Sequence, residues 1–139
     1  MTAYTMYLNK KYNRVGHVFQ GRFSSIIVEK ETYFLQVLRY IHLNPVKASL
    51  VKRPENYKWS SYLDFLSSSE EFSRLPKVEV KETLGFFSSD FSKQRELFQE
   101  FTLAGITDSF DPFKEQVRGF LGGEKFIQKL TKISTGDRP

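Results

Sequence analysis

Cysteine is absent from the 139 residues, which excludes disulfides, thiolate zinc sites and thiol nucleophiles together. A chain without cysteine suits a reducing compartment, so we expect a cytoplasmic protein. No apolar stretch approaches the roughly 20 residues needed to cross a bilayer, and the N-terminal MTAYTMYLNKKYN has no signal-peptide core. The sequence therefore predicts no membrane partner. Any metal ion would be held by oxygen or imidazole ligands.

Acidic residues are scarce in the first half of the chain. Residues 1–62 carry ten Lys or Arg against three acids, and the rest carries eleven against thirteen, which gives net charges of +7 and −2. Tyrosine, phenylalanine and tryptophan are interleaved with the basic residues of the first half. Because basic side chains neutralise phosphates and aromatic rings stack on bases, this pattern favours single-stranded or hairpin DNA as a partner. On composition alone, a charged surface over an aromatic core explains the pattern equally well.

The apolar pattern predicts an α+β fold that is mostly helical. In residues 1–66 we expect a helix over 2–13, a strand over 22–29, a helix over 31–43 and a helix over 58–66. Pro45 predicts that the third of these elements ends or kinks near Asn44, with a short helix over 46–51 after it.

Beyond residue 66 the sequence predicts a connector and a helical C-terminal extension. Residues 67–90 are rich in serine and of mixed charge, which is typical of a connector. Residues 91–139 predict a helix over 91–103 and two short helices broken at Gly122 and Gly123. Asp111 followed by Pro112 predicts a helix cap with proline at the first helical position.

The apolar run within the 22–29 strand needs neighbouring strands. They could come from sequence upstream of Met1, from a second copy of the chain, or from later segments, which look mostly helical. An unpaired strand of this kind is an association site, so the sequence predicts a homodimer through the 22–29 strand.

The predicted 31–43 helix has one apolar and one polar side. Its apolar stripe, which we expect to face the core, is formed by Phe34, Val37, Leu38 and Ile41. Tyr40 and Asn44 lie about 40° apart on the polar side. A tyrosine hydroxyl can attack a phosphodiester, and an amide oxygen is a suitable ligand for Mg²⁺ or Mn²⁺. The alternative is a packing tyrosine followed by an asparagine that only ends the helix.

Three motifs carry a resemblance to a known family: GHVFQGRF, RYIHLNPVKASLV and YKWSSY, which together span residues 16–62. They resemble the C-terminal half of the catalytic domain in REP-associated tyrosine transposases, relatives of the single-tyrosine HUH transposases. The resemblance implies a ferredoxin-like (RRM-like) domain, with Tyr40 as nucleophile and Asn44 as a helper in binding Mg²⁺ or Mn²⁺. It further implies recognition of hairpin or palindromic single-stranded DNA, followed by cleavage and rejoining through a phosphotyrosine.

The chain departs from that family in one respect. The family holds its metal mainly through a His-hydrophobe-His motif on a strand before the tyrosine helix, and this chain has only His17 and His42. His42 lies about 160° around the helix from Tyr40, so it is not a substitute ligand. Either the motif lies upstream of Met1 or this is a decayed copy, and in both cases we expect little cleavage by this chain alone.

Two alternatives to a transposase therefore remain. One is a catalytically silent DNA-binding remnant or regulator, and the other is a helical interaction module, which the charge asymmetry disfavours. If DNA is bound, the predicted contacts are Lys10, Lys11, Arg14, His17, Arg22, Arg39, Lys47, Lys52, Arg53 and Lys58.

Overall fold

The computed structural model describes residues 2–19, 21–30, 33–67 and 80–135. Within these ranges the chain is mostly helical and has one small parallel sheet, an arrangement compatible with the predicted α+β class. The elements in chain order are α1 (Thr2–Lys11), β1 (Ile27–Val28), α2 (Phe34–Lys47), α3 (Tyr62–Leu66), α4 (Val80–Gly85), α5 (Phe91–Ala104), α6 (Pro112–Glu115), β2 (Phe120–Leu121) and α7 (Glu124–Ser134). Short 3-10 turns lie at Pro54–Asn56 and Gly105–Thr107.

The core lies where α2, α3, α4 and α5 meet. Its fully buried side chains include Leu43, Tyr62, Phe65, Leu84 and Phe98. The rings of Phe65 and Phe98 stack with centroids 4.9 Å apart and planes 22° apart. Aromatic contacts between α3 and α5 therefore form the centre of this core.

Helix α2 continues through Pro45 to Lys47, which differs from the predicted end near Asn44 and from the predicted separate helix over 46–51. Proline removes one backbone donor, but Ala48 N still donates to Asn44 O at 2.8 Å and Leu50 N to Pro45 O at 2.9 Å. Pro45 itself is buried. The last turn is thus kept by the hydrogen bonds that follow the proline and by packing of its ring.

The predicted apolar stripe of α2 is confirmed at Leu38, which packs against the core, and is wrong at Ile41. Ile41, which was expected in the core, is 54% exposed, whereas His42 and Leu43 are each 1% exposed. The reason is that α3 and α5 pack on the side of α2 that carries His42. A pattern that counts histidine as polar cannot find this side.

Part of the predicted 67–90 connector is ordered. Residues 80–85 form α4, and its Leu84 packs into the core with Tyr62 and Phe98. Residues 68–79 of the predicted connector lie outside the described residues. Helix α5 begins at Phe91, as predicted, and Asp90 caps it by accepting from Ser92 N at 3.0 Å.

The predicted 22–29 strand is regular only at Ile27–Val28, and it pairs in parallel with Phe120–Leu121. Ile27 N donates to Gly119 O and Glu29 N donates to Leu121 O, both at 2.8 Å. The strand partner thus comes from a later segment, the third of the predicted sources. That segment was expected to be helical up to Gly122, so β2 replaces part of a predicted helix. Pairing within the chain supplies one neighbour for this strand, and the predicted homodimer through the 22–29 strand stays a prediction.

Helix α7 starts against β1. The Glu29 carboxylate accepts from Gly123 N at 2.7 Å. A Cβ atom at Gly122 would lie 2.9 Å from Glu29 Cβ and would also overlap the Phe126 ring. Close approach at this corner therefore requires glycine at position 122.

Helix α1 ends two residues earlier than predicted and has no buried residue. The loop after it folds back, because Asn9 Nδ2 donates to Gly16 O at 2.9 Å and the Tyr4 and Phe19 rings pack at 6.4 Å. Gly16 has a φ of 102°, which favours glycine at this turn. No helix among the described residues is long and apolar enough to cross a membrane.

Candidate functional site

The polar side of α2 carries the predicted nucleophile. Tyr40 is half-buried, and its ring meets Phe113 of α6 edge-on, with centroids 6.5 Å apart and planes 66° apart. Asn44, one helical turn later, is exposed and its backbone carbonyl accepts from Ala48 N. The helical spacing therefore holds Tyr40 and Asn44 on one flank as predicted. Phe113 was not anticipated there, because nothing in the sequence connects residue 113 with the tyrosine helix.

His42 is buried on the other flank of α2. Its ring is surrounded edge-on by Tyr62 at 5.3 Å, Phe65 at 5.3 Å and Phe98 at 5.8 Å. Its Nε2 lies 3.3 Å from Ser61 Oγ, and its Nδ1 has no hydrogen-bond partner among the described residues. Burial lowers the pKa of His42 from 6.5 to about 4, so the ring is neutral near pH 7. His42 therefore lies on a different flank of α2 from Tyr40, as the helical spacing predicted.

Two of the predicted DNA contacts, Arg39 and the exposed Lys47, also make contacts within the fold. The Arg39 guanidinium forms an ion pair with Asp108 and lies 4.6 Å from the centroid of the Phe101 ring. Lys47 Nζ donates to Asp108 O at 2.6 Å. We call this arrangement of Arg39, Lys47, Phe101 and Asp108 the Asp108 junction. It fastens α2 to the chain that follows α5.

The Asp108 junction also excludes a side chain at Gly105. A Cβ atom there would lie 2.6 Å from Arg39 Cδ. The Arg39 side chain is only 14% exposed. Its guanidinium is thus not offered to a nucleic acid in this structure.

The remaining predicted DNA contacts lie on the surface. Arg53 is close to Glu55, with an N–O distance of 3.4 Å. Lys11 Nζ lies 5.7 Å and 5.5 Å from the ring centroids of Tyr7 and Tyr12, and Lys58 Nζ lies 4.9 Å from that of Trp59. The exposed side chains of this set are Lys10, Lys11, Arg14, His17, Arg22, Lys52, Arg53 and Lys58.

A cleft of about 610 Å³ opens between α1 and the loop that folds back on it. We call it the α1 cleft. It contains two of the predicted DNA contacts, His17 and Arg22. Its lining is Thr2, Thr5, Met6, His17, Val18, Phe19, Gly21, Arg22 and Phe23. The sequence signal for it was the GHVFQGRF segment, although the contribution of α1 was not foreseen.

A divalent cation such as Mg²⁺ is held by several oxygen ligands that meet at one point. No group of three or more His, Asp or Glu side chains in the part of the chain that the structure describes could hold a metal ion. Asn44 offers one amide oxygen, whereas Mg²⁺ requires about six oxygen ligands, several of them water. The described residues therefore do not make a complete site for Mg²⁺ or Mn²⁺.

Comparisons of the chain with protein-family models, with curated proteins and with solved structures found no match.

Proposed function

We propose that this chain is the C-terminal part of a DNA transposase that recognises hairpin or palindromic single-stranded DNA and cleaves and rejoins it through a phosphotyrosine. The observation that carries the proposal is the placement of Tyr40 within RYIHLNPV. Its side chain is half-buried rather than enclosed, Asn44 follows on the same flank, and the one histidine of the helix is turned into the core.

In the proposed step the Tyr40 hydroxyl attacks a DNA phosphorus. The bond from Tyr40 Oη to phosphorus forms, the bond from phosphorus to one bridging oxygen breaks, the hydroxyl proton is lost and the leaving oxygen takes up a proton. Rejoining reverses these changes with a second DNA hydroxyl. Mg²⁺ or Mn²⁺, if required, would need ligands in addition to Asn44 from outside the described residues.

The proposal includes a ferredoxin-like catalytic domain in a cytoplasmic protein. Its support is the open edge of the sheet: β1 has a strand partner on one side only within the described residues. An open edge of this kind is where a further strand pairs with a sheet.

The second candidate is a catalytically silent DNA-binding remnant or regulator. It is favoured by the Phe113 ring, which lies edge-on against Tyr40. Both candidates bind DNA through the basic first half, and they differ only in whether Tyr40 reacts.

The deciding experiment supplies the chain with a His-hydrophobe-His strand from a single-tyrosine transposase and incubates it with a labelled DNA hairpin and Mg²⁺ or Mn²⁺. We expect a covalent adduct on a denaturing gel that maps to Tyr40 by mass spectrometry. Tyr40→Phe should abolish the adduct while hairpin binding persists, because it removes only the hydroxyl and keeps the ring against Phe113.

Tyr33→Phe is the matched control, since Tyr33 lies two helical turns from Tyr40, about 10 Å along the axis. This variant should form the adduct normally. If Tyr33→Phe eliminates the adduct, or if Tyr40→Phe retains it, the assignment of the nucleophile is wrong. A folded, hairpin-binding protein that forms no adduct in any variant supports the silent remnant.

A further inference from the structure

The α1 cleft exposes large apolar side chains, two of which are aromatic, instead of covering them. Phe23 is 81% exposed, Met6 is 68% exposed and Phe19 is 45% exposed. Helix α1 buries none of its own residues, although Tyr4 and Tyr7 lie on it. A contiguous exposed patch of this kind marks a binding surface.

The charge of the same segment indicates what the cleft takes up. Residues 2–28 contain no Asp or Glu and four Lys or Arg. Lys10, Lys11, Arg14 and Arg22 are exposed, and none of them forms an ion pair with a described residue. The complementary ligand is therefore an anion that carries a flat apolar group.

A second copy of the chain is a poor occupant of this surface. It would bring the same four positive charges to the contact, and like charges repel across an interface. A single-stranded nucleic acid supplies both requirements at once, because each nucleotide joins a negative phosphate to a base with a π-face. A duplex supplies the phosphates, but its bases are stacked inside the helix and are not available to Phe23.

We propose that the α1 cleft holds an unstacked base of a single-stranded nucleic acid, with Phe23 as the stacking platform and Arg22 on the neighbouring phosphate. The cleft of about 610 Å³ is within the range of small-ligand sites, roughly 300 to 1,000 Å³. Met6 and Phe19 provide the apolar walls. This inference rests on the proposed function for the identity of the partner, but it does not involve the Tyr40 hydroxyl.

The test measures binding of the full chain to a fluorescent oligothymidylate of about 12 nucleotides by anisotropy. Two further probes separate base from backbone: an abasic strand of the same length and a duplex of the same length. We expect the oligothymidylate to bind about 5- to 100-fold more tightly than the abasic strand, as one stacked base implies.

Phe23→Ala should remove that preference, and Phe91→Ala should leave it unchanged. Phe91 is the matched control because it is 80% exposed, almost as much as Phe23, but lies on α5 in the acidic half. Arg22→Gln should weaken binding to all three probes, and the slope of log affinity against log salt concentration should fall by about 1, the value for one phosphate contact. Lys125→Gln on α7 should change neither the affinity nor the slope.

Three results would overturn the proposal: equal affinity for the abasic strand and the oligothymidylate, equal affinity for the duplex, or an oligothymidylate preference that survives Phe23→Ala. The proposed function is tested separately, by formation of the Tyr40 adduct. If Phe23 matters but no Tyr40 adduct forms, the cleft stands and the transposase proposal fails. If the adduct forms but Phe23→Ala changes nothing, the cleft proposal fails alone.

Discussion

The burial of His42 predicts that the protein loses stability in weak acid. Its pKa is about 4 in the folded protein, whereas an unfolded chain has the ordinary value of 6.5. As the pH falls below about 6.5, the unfolded state takes up the proton first and is stabilised relative to the folded state. The contribution of neutral His42 is therefore complete above about pH 7 and is lost as the pH falls from about 6.5 to about 4.

The two pKa values set the size of the effect. The two values correspond to a loss of about 3 kcal/mol in the free energy of unfolding once the pH has fallen below about 4. About 2 kcal/mol of this loss falls between pH 7 and pH 5, above the range in which most carboxylates titrate. A loss of 2 kcal/mol is a large part of the stability of a small domain. The cause is the aromatic cage of Tyr62, Phe65 and Phe98, which offers an imidazolium no counter-charge.

The assay is urea unfolding followed by far-ultraviolet circular dichroism between pH 7 and pH 5. Trp59 is 69% exposed and reports poorly on the core, so circular dichroism is the better signal. In His42→Phe the side chain at position 42 is uncharged at every pH, so this variant should lose little stability between pH 7 and pH 5. His17→Phe, the control at an exposed position, should lose as much as the unchanged protein.

The measured quantity is the change in stability with pH, so a constant packing cost of phenylalanine does not affect it. The reasoning is refuted if His42→Phe keeps the full pH dependence. It is equally refuted if the His42 ring protons titrate by NMR with a midpoint near 6.5.

Two further predictions concern contacts within the fold, and a third concerns the basic first half of the chain. Asp108→Asn should lower the free energy of unfolding by about 1 to 3 kcal/mol, because it leaves the part-buried Arg39 without its counter-charge. The control Lys93→Gln removes an exposed ion pair and should change the free energy of unfolding by less than about 0.5 kcal/mol. Equal effects of the two substitutions in urea titrations would contradict this. Gly122→Ala should cost about 1 to 3 kcal/mol by overpacking, and Gly123→Ala, whose Cβ would lie 3.5 Å from its nearest neighbour, should cost clearly less by the same measurement. Affinity for single-stranded DNA should fall steeply between roughly 50 and 200 mM salt, and a flat salt response would show that the basic first half is only a solvated surface.

The elements that sequence predicted well are those specified by short-range chemistry. Helix α5 follows from its apolar period and from the Asp90 cap, and α6 from Asp111 and Pro112, since Asp111 accepts from Phe113 N at 2.9 Å. The placement of Tyr40 and Asn44 on one flank of α2 follows from helix geometry alone. In each of these cases, the residues that specify the structure lie within a few positions of one another in the sequence.

The features that sequence missed depend on partners far along the chain. Strand β2 is two residues long and exists because Phe120 meets Ile27, so no local pattern marks it. The burial of His42 and the exposure of Ile41 are set by α3 and α5, which pack on the side of α2 that carries His42. The pairing of Arg39 with Asp108 joins positions that no periodicity relates.

The Asp108 junction changes which positive charges can meet a phosphate near Tyr40. Arg39 precedes Tyr40 directly and Lys47 lies two turns after it, yet both are held by Asp108. The charge left for DNA is then concentrated on α1 and its loop, and on the surface after α2. Because the charges proposed to bind DNA are separate from the residues that fasten α2, substitutions such as Arg22→Gln should weaken DNA binding without unfolding the protein. Substitutions at the Asp108 junction should instead lower the free energy of unfolding, and any loss of DNA binding they cause would follow from that loss of stability.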